Sequence, residues 1–64
     1  MNIAFVEYIL EDDGVRVLDD PGDMTHEQMS THAHAAMAIG AIQVCFFDRE
    51  SGSETVFERE TRDP

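Results

Sequence analysis

Fourteen of the 64 residues are Asp or Glu, so carboxylates are the groups through which this chain could do chemistry. Paired carboxylates cleave glycosidic bonds only when they are held at a set separation, with one of them in an apolar pocket. Here most of them fall in turn-like segments that fix no such distance. Glu11-Asp12-Asp13-Gly14 and Asp19-Asp20-Pro21-Gly22-Asp23 contain the oxygen donors that calcium takes. They lack the alternating Asp-x-Asp-x-Asp-Gly order, with a later Glu, that arranges those donors around the ion. His32 and His34 are two apart, about 200° around a helix, and cannot share a metal; His26 is spaced with neither. Cys45 is the only cysteine, which excludes an internal disulfide and a cysteine-based zinc site. It lies in an apolar run, where a buried small hydrophobe is expected. No Gly-rich phosphate loop, HExxH pattern or nucleophile motif is present. A chain this short also has little room for a pocket of about 300 Å³ or more. The sequence predicts a protein that is not an enzyme, with no catalytic residue, cofactor or metal.

Charge is the distinctive property. Against the fourteen acids stand four Arg and no Lys, a formal net charge of −10. Such a surface repels nucleic acid and anionic membranes and attracts cations or basic proteins. Direct nucleic-acid binding is therefore not expected. Apolar residues still make up 42% of the chain, enough to argue for a folded core rather than disorder. The first ten residues carry no basic group and do not read as a signal peptide, and no apolar run approaches the roughly 20 residues that span a bilayer. A soluble, cytoplasmic protein with no membrane partner is expected.

The elements that must position the acids are legible as a ββαββ order. Asn2 to Leu10 reads as a strand, with Ile3, Phe5 and Ile9 pointing one way and Ala4, Val6, Tyr8 and Leu10 the other, interrupted by Glu7. Asp13-Gly14 favours a tight turn, after which Val15 to Leu18 returns as a shorter strand. Asp19 to Asp23 reads as a loop around Pro21-Gly22. Thr25 and Gln28 have the form of a capping box opening a helix, Glu27 adds a favourable charge in the first turn, and Gly40 suits its end. Met29, Ala33, Ala36 and Met37 form an apolar stripe, with His32 and Ile39 beside it and Ser30, Thr31 and His34 opposite. Ala41 to Phe47 reads as a third strand, with Ile42, Val44 and Phe46 on one face and Gln43, Cys45 and Phe47 on the other. Asp48 to Ser53 is a hairpin loop, Glu54 to Glu60 a fourth strand, and Thr61 to Pro64 a frayed tail. The expected architecture is one α+β domain over residues 1–64, a single helix on an antiparallel sheet of about four strands.

This order sorts the candidate binding residues into two poles. Glu11, Asp12 and Asp13 belong at one end of the sheet. Asp19, Asp20, Asp23, Asp48, Glu50 and Glu54 are expected to gather at the other, opposed by Arg49, with Glu58 on an outer strand. A duplex carries about one negative charge per 1.7 Å of axis. Acids dense enough on a compact surface could therefore occupy a basic groove built for DNA or RNA.

In size, acidity and want of a catalytic motif, the chain resembles the small phage-encoded inhibitors of bacterial defence nucleases, anti-CRISPR proteins among them. The resemblance implies an acidic interaction protein in the host bacterial cytoplasm that mimics nucleic-acid charge. Its partner would be a basic nucleic-acid-binding protein, in particular a CRISPR-Cas effector subunit. Two alternatives stay open. Excess Asp and Glu without Lys also suits a domain adapted to molar salt, where self-repulsion is screened. The apolar first strand and Phe46-Phe47 would equally suit a homodimer or an antitoxin-like small subunit.

Overall fold

The apolar segment at the start of the chain becomes the nine-residue strand β1 (Asn2–Leu10), and its two-sided character follows from a central place in the sheet. The computed structural model describes residues 1–59. β1 is followed by β2 (Val15–Asp23), helix α1 (His26–Ala38), β3 (Ala41–Asp48) and β4 (Glu54–Glu58). The sheet is antiparallel throughout, in the order β2-β1-β3-β4, an α+β fold with the helix joining an edge strand to an inner one. No helix among the described residues is long and apolar enough to cross a membrane.

The helix ends follow their local chemistry. The Thr25 hydroxyl accepts from the Gln28 backbone N–H at 3.1 Å, and the Gln28 side chain accepts from the Thr25 N–H at 2.9 Å. Two donors that the first turn leaves orphaned are thereby satisfied. At the other end Gly40 has φ +119°, a conformation that disfavours side chains and turns the chain into β3. One side of the helix supplies Met29 and Ala33 to the core, where they meet Ile3, Val6, Ala41, Val44 and Phe46. Ala36 and Met37 pack at its margin, as do Tyr8, Leu10 and Phe57 from the sheet. Half-buried His32 takes the polar place in this layer: its Nε2 lies 2.5 Å from the Tyr8 hydroxyl. Burial pushes the Tyr8 phenol above its ordinary pKa.

Several expectations are corrected by backbone irregularities. β2 does not stop at Leu18; it runs to Asp23, because β1 offers partners along its whole length. The Pro-Gly pair is accommodated in a bulge on this edge strand, where Asp20 takes φ +52° and Gly22 φ +89°. Between Ile3 and Phe5, β1 advances two residues while β3 advances one. The extra residue, Ala4, flips the alternation, so Ile3 joins Val6 in the core instead of pointing away with Phe5. A second irregularity opposite Ile9 and Leu10 puts Ala41 in the core in place of Ile42. Ile39 lies past the last helical turn and is 88% exposed, so it takes no part in the apolar stripe. β3 extends to Asp48, and β4 ends at Glu58. The frayed tail and the Glu60 end of the expected fourth strand lie outside the described residues.

Phe46 is the largest fully buried side chain, with its ring edge-on to Phe57 at 5.7 Å and to His32 at 5.9 Å. Truncating such a residue costs about 3–5 kcal/mol. A chain of this length has a total stability of only about 3–10 kcal/mol. Phe46→Ala is therefore expected to abolish most of the cooperative transition in a urea titration followed by circular dichroism.

Candidate functional site

A strand sends alternate side chains to opposite faces, and α1 covers only one face of this sheet. Register fixes what the other face presents. Three rows cross all four strands: Val15, Ile9, Gln43 and Glu58; then Val17, Glu7, Cys45 and Val56; then Asp19, Phe5, Phe47 and Glu54. Phe5 and Phe47 stack in the third row with ring centroids 4.3 Å apart. At about 4.8 Å between strands, Asp19 and Glu54 bracket this pair across about 14 Å. Val17 and Val56 are 54% and 40% exposed, so the face offers apolar contact among its carboxylates.

The four carboxylates of this face, Glu7, Asp19, Glu54 and Glu58, have no side-chain hydrogen bond or ion pair among the described residues. None of the described arginines neutralises them. Arg16 points to the helix side of β2, Arg49 pairs with Asp20 at 2.7 Å, and Arg59 pairs with Glu11. Their field is felt at Cys45. Burial raises the pKa of this thiol, and the charges of Glu54, Glu7 and Glu58 raise it further.

The remaining predicted residues divide into two groups. Glu11, Asp12 and Asp13 occupy the turn between β1 and β2, closed by hydrogen bonds between Leu10 and Gly14 and between Asp13 and Leu10. Asp12 accepts from the Gly14 N–H at 2.9 Å, and Asp13 itself takes the positive φ of +66°. At the opposite end lie Asp23, paired in register with Asn2, and Asp48 and Glu50 around the β3–β4 turn. The Arg49–Asp20 pair ties that turn to the β2 bulge. Asp19 and Glu54, also expected here, stand on the open face in the row next to this end, Asp19 because the expected loop is strand. Several acids therefore serve the fold: Asp12 and Asp48 shape turns, while Asp20 and Glu11 hold arginines. Glu7 is the carboxylate that the sequence left out of the candidate set. Its signal was its place as the sole charge in an apolar strand.

No group of three or more His, Cys, Asp or Glu is arranged to hold a metal ion among the described residues. Each histidine has a local neighbour instead: His32 the Tyr8 hydroxyl, His34 the Ser30 hydroxyl at 3.4 Å, and His26 the Phe57 ring at 5.8 Å. Compared with protein-family models, with curated proteins and with solved structures, the chain matches none.

Asp48 offers a direct check on the turn that carries Glu50. Its carboxylate accepts from the Ser51 hydroxyl at 2.7 Å and from the Glu50 N–H at 3.2 Å. These bonds, the Ser51 hydroxyl foremost, favour the charged form and hold its pKa below the ordinary carboxylate value. A depressed folded-state pKa stabilises the fold above the unfolded-state value, and that contribution fades as pH falls through the folded-state pKa. In an NMR pH titration, Ser51→Ala is expected to move the Asp48 midpoint upward.

Proposed function

We propose that the chain is a non-catalytic acidic interaction protein that occupies a basic nucleic-acid-binding site on another protein, its carboxylates standing where phosphates would lie. A subunit of a CRISPR-Cas effector, at a site that reads DNA, is the partner this reading favours. The observation that carries it is the open sheet face, on which four carboxylates with no partner among the described residues surround exposed apolar side chains, with no described arginine among them. Lysines and arginines that grip nucleic acid would meet Asp19, Glu7, Glu54 and Glu58. Phe5, Phe47, Val17 and Val56 would supply the apolar contact that a polyanion alone lacks. A rigid sheet holds the charges in place before binding, which lowers the ordering cost of association. The acids at the two ends extend the negative field and speed encounter with a basic surface.

The reading is tested by competition. Purified Cas effector complexes are mixed with labelled target duplex, and displacement by this protein is followed by fluorescence anisotropy. Displacement is expected, with an affinity that falls as salt rises. The combined change Glu7→Gln, Asp19→Asn, Glu54→Gln and Glu58→Gln removes charge at nearly constant shape. At about 0.2–1 kcal/mol for each exposed pair, it should weaken binding by about fourfold to several hundredfold. Asp12→Asn with Asp13→Asn should have a smaller effect. Equal affinity of the fourfold variant and the parent protein would remove the open face from the contact. Salt adaptation makes the opposite demand on the free protein, namely a cooperative thermal transition only near molar NaCl. Under the proposed function that transition is present at low salt.

A further inference from the structure

The two edges of the sheet are guarded very differently. β4 is five residues long and carries Glu54 and Glu58 at its ends. A second β4 paired about Val56 would set Glu54 of one copy opposite Glu58 of the other, an unfavourable pairing. β2 is nine residues long, and its first four residues read Val15-Arg16-Val17-Leu18, with no acid. Val15, Val17 and Leu18 are 57%, 54% and 42% exposed, on an edge whose outward backbone groups have no strand beside them. Natural edges are usually blunted by charge, proline or a bulge. Here those devices, Asp19, Asp20 and Pro21, begin only at the far half of the strand.

From this edge we infer that the chain forms a two-fold dimer by antiparallel pairing of β2 with β2 of a second copy, centred on Val17. The regular stretch Val15 to Asp19 sets that centre. Val17 then faces Val17 of the second copy on the open side of the joined sheet. On the helix side, Arg16 lies opposite Leu18 of the second copy. Arg16 makes no ion pair among the described residues. Charge selects the second copy over a basic partner at this place. A body of net charge −10 can approach its like only where acids are sparse: Val15 to Leu18 has none, and Asp19, at the end of the paired stretch, lies opposite Val15 of the second copy. A lysine-rich partner would find a single carboxylate there, Asp19, beside an arginine and three aliphatic side chains. The product is an eight-stranded sheet with both helices on one side and the carboxylates of the open face doubled to eight.

The dimer is independent of the basic partner, and salt separates the two. Screening relieves repulsion between two acidic copies, so dimerisation strengthens as NaCl rises, whereas attraction to a basic site weakens. Sedimentation equilibrium is run on the whole chain over about 10–300 μM, at about 0.05 and 0.5 M NaCl. A mass twice the 7.2 kDa of the chain is expected, with the larger dimer fraction at the higher salt. Val17→Lys should return the mass to that of one chain and keep a cooperative thermal melt, because Val17 is half-exposed in the single chain. Val56→Lys should stay dimeric. With Cys45→Ala as background, Val17→Cys should form an intermolecular disulfide under mild oxidation, and Val56→Cys should not. A single-chain mass at every concentration and salt overturns the inference. So does a Val17→Lys variant that remains dimeric, or cross-linking at position 56 in place of 17.

Discussion

One helix of thirteen residues can shield only one face of a four-stranded sheet, and the character of this molecule follows from how the chain meets that limit. The shielded face takes the aliphatic and aromatic residues that close the core, with Phe46 at its centre. The other face cannot be left wholly apolar without becoming a sticky surface. It is therefore written as alternation, with valines and a stacked Phe5–Phe47 pair interrupted by Glu7, Asp19, Glu54 and Glu58. Charge on that face breaks up what would be a continuous apolar patch and at the same time gives the molecule a directed negative field.

Holding so much like charge on a small body is costly, and the fold limits the cost by spreading it. Asp12 and Asp48 are absorbed into turns as hydrogen-bond acceptors, and Asp20 and Glu11 each hold an arginine. These exposed pairs add little to stability. Their importance is positional: they take two of the arginines away from the open face. The helix contributes by accepting Glu27 in its first turn, where the peptide dipoles favour an anion.

Much of the architecture is legible in the sequence because its signals are local. Thr25 and Gln28 announce the helix start, Gly40 its end, and the acidic turn before Val15 the first hairpin. The missed features are those that depend on a neighbouring strand. Nothing in Asn2–Leu10 marks Ala4 as an extra residue; its role arises only when β1 is matched to Asp48 and Phe47, and with it the direction of Ile3. Pro21-Gly22 is a breaker in isolation, yet nine residues of β1 carry β2 past it. Asp19 was hidden because Pro21-Gly22 makes its segment read as a loop. Which face a strand residue occupies is a matter of parity, and a single bulge reverses parity along the strand.

The carboxylates around Cys45 have an effect on redox chemistry as well. Disulfide exchange and the first step to sulfenic acid both proceed through the thiolate. Buried in the sheet and ringed by Glu7, Glu54 and Glu58, this sulfur holds its proton more tightly than a free cysteine does. A negatively charged thiol reagent such as glutathione is also repelled from the same face. The surroundings of Cys45 thus disfavour the thiolate through which both reactions run, and slow them at this sulfur.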